Sequence, residues 1–137
     1  MPIVDDVYLG NPNLKKANVQ QEFTKEQILE FVACKNDPVY FAKQHVKIVS
    51  LDEGLVPFKP YDFQETLIER FHANRFNICK MPRQTGKSTT SVSYLLHYAV
   101  FNDNVNIGIL ANKAATARDL LGRLQTAYEN LPKWMQQ

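Results

Sequence analysis

Apolar positions in the first part of this chain come in short stretches with clear punctuation. Thr24-Lys25-Glu26-Gln27 has the form of a capping box, and Ile28, Leu29, Phe31 and Val32 follow as one apolar stripe, so a helix is predicted to start at Thr24. Asn36-Asp37-Pro38 predicts a stop and a restart, with Pro38 at the first helical position, where a missing N–H costs nothing. Residues 39–45 then read as a second, short helix. Residues 47–51 and 55–58 read as two strands around Asp52-Glu53-Gly54, a hairpin signal. Asp62 is the expected cap of a helix reaching about residue 72, with Leu67, Ile68 and Phe71 on its buried face. The leader, residues 1–21, contains Gly10-Asn11-Pro12-Asn13 and reads as an irregular arm.

The pattern changes at Phe76. Residues 76–80 form a short apolar run, residues 81–85 a loop, and Gly86 opens a helix. Its apolar positions Val92, Leu95, Leu96, Ala99 and Val100 recur at helical spacing. Asn102-Asp103-Asn104 ends that helix. Residues 105–111 are too apolar to alternate, as expected of a buried parallel strand. A last helix is predicted over residues 114–131, with Ala117, Leu120, Leu121, Leu124 and Tyr128 inward. Strand, helix, strand, helix in this order predicts a right-handed crossover unit, hence an α/β fold with a parallel sheet and helices on both faces. Two strands are fewer than such a sheet normally has. Residues 1–60 would form a small helical and hairpin segment, and residues 61–137 the first part of the α/β core.

Composition adds bounds. The chain has 137 residues, 45% hydrophobic and 22% charged, which suits one globular domain. The net charge of +2 is too small to argue for nucleic acid by itself. No acidic residue lies between Glu69 and Asp103, however, while Arg70, Arg75, Lys80, Arg83 and Lys87 do. That stretch would tolerate a polyanion, although a solvated basic face is the commoner origin of such a run. No apolar stretch has spanning length, so no membrane partner is expected, and the N-terminus lacks the pattern of a signal peptide. Cys34 and Cys79 lie far apart without metal-ligand spacing and point to a reduced, cytosolic compartment. His45, His72 and His97 form no ligand pattern and read as packed or surface residues.

The chemistry is concentrated in Met81-Pro82-Arg83-Gln84-Thr85-Gly86-Lys87-Ser88. This fits the phosphate-loop spacing G-x-x-x-x-G-K-[ST], except that Met81 replaces the first glycine. Such a loop wraps backbone N–H groups around phosphates, and Gly86 lets the chain approach without a Cβ. The helix that starts there aims its free N–H groups and positive dipole end at the anion. Lys87 would reach the β- and γ-phosphates, and Ser88 would place a hydroxyl on Mg²⁺. The expected nucleotide contacts are therefore Met81, Pro82, Arg83, Gln84, Thr85, Gly86, Lys87, Ser88 and Thr89, with ATP and Mg²⁺ as cofactors. Arg83 could act as an arginine finger in cis, or be a surface or salt-bridged arginine. Gln64 carries an amide able to read an adenine edge, although by itself a solvated helix residue is the plainer reading. Asp52-Glu53 ends an apolar run, as a Mg²⁺-positioning pair would, but it precedes the loop and reads better as a turn.

Four segments together resemble the large terminase subunit of T4-like tailed phages. Tyr8-Leu9-Gly10-Asn11-Pro12-Asn13-Leu14-Lys15-Lys16-Ala17-Asn18 is similar to the family's Y-x-G-x-P-N-L-K-x-A-N stretch, and Asp37-Pro38-Val39-Tyr40-Phe41-Ala42 to its D-x-V-Y-F-A helix. Arg83-Gln84-Thr85-Gly86-Lys87-Ser88 matches its R-Q-x-G-K-[ST] loop, and Gly108-Ile109-Leu110-Ala111-Asn112-Lys113 its G-I-L-A-x-K strand end. The resemblance runs from about Tyr8 to the C-terminus. It implies a helicase-like P-loop NTPase that hydrolyses ATP to drive double-stranded DNA into a procapsid. Its partners would be the DNA, the portal protein and the small terminase subunit, in the host cytoplasm and transiently at the portal. It implies catalytic roles for Arg83 and Lys87, Mg²⁺ on Ser88, and adenine reading by Gln64. The family's second adenine-side glutamine falls at Lys59. Lys113 and Arg118 occupy a segment that would touch DNA or transmit motion, or are solvated helix charges. The family's acidic strand, coupling motif and nuclease domain have no counterpart here. The resemblance thus implies the first part of a motor whose C-terminal part is missing, from a split gene, an interrupted frame or a partial chain. Two other readings stay open: a piece of another helicase-like translocase, and a non-catalytic nucleotide-binding or interaction protein.

Overall fold

A computed structural model describes residues 7–136; the first six residues of the expected arm, and Gln137, lie outside it. The fold is mixed α/β. Among the described residues there are two antiparallel hairpins and five α-helices.

Within the described part of the leader, residues 7–15 form a hairpin where an irregular arm was expected. Strands β1 (Val7–Tyr8) and β2 (Asn11–Lys15) pair across Leu9-Gly10, whose φ values of 50° and 74° make the tight mirror-image turn that hairpins favour. This hairpin is held by the far end of the chain. The buried Gln136 accepts from the Lys15 N–H at 2.8 Å through Oε1, and its Nε2 donates to the Asn13 carbonyl at 2.8 Å.

Helix α1 (Lys25–Asn36) starts as its sequence predicts. Thr24 Oγ1 accepts from the Gln27 N–H at 3.2 Å, and Gln27 Oε1 accepts from the Thr24 N–H at 3.1 Å. Its apolar stripe is only partly used. Phe31 packs edge-on against Phe101 at 5.0 Å, whereas Ile28, Leu29 and Val32 are exposed. Helix α2 (Pro38–His45) is capped by Asp37, whose Oδ1 accepts from the Val39 and Tyr40 N–H groups. Glu30 joins the two helices. Tyr40 OH donates to its Oε2 at 2.8 Å and His45 Nε2 to its Oε1 at 2.9 Å, with the Cys34 thiol 3.8 Å from Oε1.

Strands β3 (Lys47–Ser50) and β4 (Gly54–Pro57) form the expected hairpin. Asp52 and Glu53 lie exposed in its turn, and Gly54 at φ 75° closes it. Helix α3 (Asp62–Ala73) is capped one residue earlier than expected, at Tyr61, because Gln64 Oε1 takes the Tyr61 N–H at 2.9 Å. Lys43 of α2 pairs with Glu65 of α3 at 2.6 Å.

Helix α4 (Lys87–Phe101) is the centre of the core. It packs against α2, α3 and α5 (Ala114–Glu129). Cys34, Phe41, Val46 and Phe58 from the first part of the chain share one cluster with Ile68, Leu96, Val100, Phe101, Ala127, Leu131 and Met135 from the second. Full burial of a Phe or Leu side chain contributes about 1.5–3 kcal/mol, so this cluster ties the two parts into one unit. The buried face of α4 differs from the predicted one. Thr90, Val92, Ser93, Leu96, His97 and Val100 are buried, while Leu95 is half-buried and Ala99 exposed. Helices rather than a sheet press on α4, and they take the flank carrying His97. That imidazole donates Nε2–H to the Cys34 carbonyl at 2.8 Å. Among the described residues Ser93 Oγ is the one buried side-chain oxygen without a partner.

The two predicted parallel strands are not part of a sheet here. Residues 76–80 are exposed along their length, with Phe76 at 84% and Ile78 at 100% accessibility. Residues 105–111 alternate half-buried and exposed positions up to Leu110. An apolar run becomes a strand only when neighbouring backbone pairs with its N–H and C=O groups, and the observed sheets contain only the hairpin strands.

Candidate functional site

The loop between residue 81 and α4 is shaped by two left-handed residues, Gln84 at φ 60° and Gly86 at φ 74°. For Gln84 this conformation costs energy; for Gly86 it is nearly free. Gly86 is the N-cap of α4 and offers no side chain to its N–H groups. Thr90 folds back instead, donating its backbone N–H at 2.9 Å and its hydroxyl at 2.8 Å to the Gly86 carbonyl. The amides of Lys87, Ser88 and Thr89 at the positive end of α4 are left without a side-chain cap, and the first turn carries no carboxylate.

Three contacts hold the loop. Lys87, the first helical residue, donates from Nζ to the Met81 carbonyl at 2.9 Å and so closes the loop on its own start. Thr85 Oγ1 donates to the Pro82 carbonyl at 2.9 Å. Gln64, only 4% accessible, reaches across from α3, with Nε2 at 3.4 Å from the Thr85 carbonyl. A Cβ at position 86 would overlap the Gln64 amide and displace it, so both this neighbour and the φ of Gly86 disfavour a larger residue. An ammonium carries three donors. With one on Met81, Lys87 keeps two for an anion beside the helix N-terminus. The arrangement can therefore cradle a phosphate with backbone N–H groups, a dipole and a cation.

The other predicted residues fall as follows. Met81 is half-buried, and Pro82 and Arg83 are exposed. Arg83 lies in the turn of the loop and, among the described residues, makes no ion pair. Ser88 is exposed and Thr89 half-buried in the first turn of α4. Gln64 is brought to the loop, but its amide is engaged at both ends, by the Tyr61 N–H and the Thr85 carbonyl. Lys59, Lys113 and Arg118 are exposed, Lys113 as the N-cap of α5. Within the basic run, Arg75 lies over the Phe76 ring at 5.2 Å, while Arg70 and Lys80 face solvent.

Two features escaped the sequence reading. One is Thr90, whose back-bond fixes the helix start; its signal was the threonine four residues after Gly86. The other is the grouping of Glu30, Cys34 and His45, whose donor atoms lie within 4.8 Å of one another. Glu30 and Cys34 are one helical turn apart, a visible signal, but the arrival of His45 depends on how α2 packs on α1. The chain matches no protein-family model.

Proposed function

We propose that residues 81–89 bind the phosphates of Mg·ATP and that the chain is the nucleotide-binding part of a DNA-packaging ATPase of the large-terminase type. One observation carries this reading: a left-handed Gly86 opens an uncapped helix, and Lys87 is strapped to the Met81 carbonyl at the loop's other end. In this proposal the N–H groups of Lys87, Ser88 and Thr89 and the Lys87 ammonium take the phosphates. The Ser88 hydroxyl, exposed beside them, would ligate Mg²⁺, which would offset phosphate charge. The residues fit such a group, since the first turn of α4 offers hydroxyls and a lysine without a competing carboxylate. Arg83, exposed and without an ion pair among the described residues, is free to swing toward the terminal phosphate. Gln64 orients the loop, and adenine reading would require its amide to leave the Thr85 carbonyl.

The proposal includes a parallel sheet containing residues 76–80 and 105–111. The exposed Phe76, Ile78 and Leu110 support it, because sheet neighbours would bury such apolar side chains. Double-stranded DNA, the portal protein and the small terminase subunit remain the proposed partners, and the host cytoplasm the proposed location. Titration of a fluorescent ATP analogue, with circular dichroism as the fold control, tests the site. Wild-type chain should bind with Mg²⁺ present, and Lys87→Ala should lose binding while keeping its helical signal. Equal affinity in the two proteins would falsify the assignment. Binding by a full motor carrying this sequence, without DNA-stimulated turnover, would favour the non-catalytic reading.

A further inference from the structure

We propose that Glu30, Cys34 and His45 form a zinc site that clamps α1 to α2. The three supply a carboxylate, a thiol and an imidazole, a donor set suited to Zn²⁺ and poorly suited to Mg²⁺ or Ca²⁺. Glu30 Oε1 is 2.9 Å from His45 Nε2 and 3.8 Å from Cys34 Sγ, and all three donor atoms lie within 4.8 Å of one another. Zinc bonds of about 2.0–2.3 Å in a tetrahedron put neighbouring donors about 3.3–3.8 Å apart. Small rotamer adjustments therefore bring the set onto one ion.

The surroundings have the form of an outer shell. Tyr40 OH holds the other Glu30 oxygen at 2.8 Å, which leaves Oε1 for the ion. His97 donates to the Cys34 carbonyl at 2.8 Å and fixes the last turn of α1. The His45 ring stands between Phe41 and Trp134, with centroids 6.2 and 6.3 Å away. Cys34 is fully buried, whereas the Glu30 and His45 side chains keep 30% and 14% accessibility, so an ion can enter from their side. Three protein ligands leave the fourth position to water.

Without the ion, burial and the neighbouring Glu30 push the Cys34 thiol up to about 12, so it is protonated. Binding Zn²⁺ converts the thiol to a zinc-bound thiolate and releases one proton to solvent. On binding, His45 presents the Nε2 lone pair to the ion with a proton on Nδ1, and Glu30 ligates as a carboxylate. No redox step is involved. This inference does not depend on the nucleotide site.

The test uses the whole chain with Cys79→Ser, which leaves Cys34 as the only thiol. Competition with a chromophoric chelator should show one Zn²⁺ per chain. Co²⁺ should give a thiolate-to-cobalt charge-transfer band and tetrahedral visible bands. Cys34→Ser should lose the charge-transfer band. Glu30→Gln and His45→Ala should lose stoichiometric Zn²⁺ binding while keeping a wild-type circular dichroism spectrum. Tyr40→Phe should weaken Zn²⁺ about tenfold. No charge-transfer band in the Cys79→Ser chain, or unchanged Zn²⁺ stoichiometry in both Glu30→Gln and His45→Ala, overturns the site and leaves a hydrogen-bonded helix staple.

Discussion

Replacing Gly86 with alanine should destabilise the protein through two separable effects. The first is conformational. Gly86 sits at φ 74°, and an L-residue in the left-handed region costs about 1–2 kcal/mol. The second is steric. The new Cβ overlaps the Gln64 amide, which must rotate away and release the Tyr61 N–H, now held at 2.9 Å, and the longer contact to Thr85 at 3.4 Å. Tyr61 is exposed, so water can take its N–H, and the loss falls in the ordinary range of about 0.5–1.5 kcal/mol per hydrogen bond. Together the two effects predict a cost of roughly 2–3 kcal/mol, a large share of a typical total of about 5–15 kcal/mol. Gln64→Ala removes the obstacle. In that background Gly86→Ala should cost only the conformational part, leaving a coupling energy of about 1 kcal/mol in a double-mutant cycle. Urea denaturation followed by circular dichroism and by the fluorescence of Trp134, the sole tryptophan, provides the four stabilities. An identical cost of Gly86→Ala in both backgrounds would mean that Gln64 does not lie against the loop.

Three further outcomes follow from the same contacts. Ser93→Ala should raise stability by about 1 kcal/mol, since it deletes a buried hydroxyl without a partner; a loss of similar size in urea titration would contradict this. In a motor carrying this sequence, Arg83→Ala should lower kcat steeply, by about 10³-fold or more, with little change in nucleotide affinity, and unchanged turnover would reduce Arg83 to a surface residue. Acid should act in two stages. Burial holds His97 below the ordinary imidazole value of 6.5, so the unfolded chain takes up that proton first and stability falls as pH drops past 6.5. The His45 hydrogen bond holds Glu30 below its ordinary 4.5, so the stability it contributes is present above 4.5 and is lost as pH falls further. His97→Gln, which keeps a donor for the Cys34 carbonyl, should flatten the first stage in pH-dependent melting, and identical slopes in wild type and variant would refute its origin.

What the sequence determined by itself was local. The Thr24 capping box, the Asp37 cap with Pro38 behind it, the β3–β4 turn and the helix opening at Gly86-Lys87 are all present, because each is built from hydrogen bonds between residues at most four apart. The loop that leads from Met81 into α4 was legible as a segment for much the same reason. Tertiary structure decided everything that needed a distant neighbour. Gln136 pins β2 from 121 residues away, and Gln64 comes to lie against Gly86 only because α3 packs on α4. The buried flank of α4 turned toward Ser93 and His97, since helices and not a sheet press on it. The stripe on α1 and the runs at residues 76–80 and 105–111 mark apolar side chains without saying what covers them. A helix closes its hydrogen bonds within itself, whereas a strand and a buried face exist only through the partner that completes them.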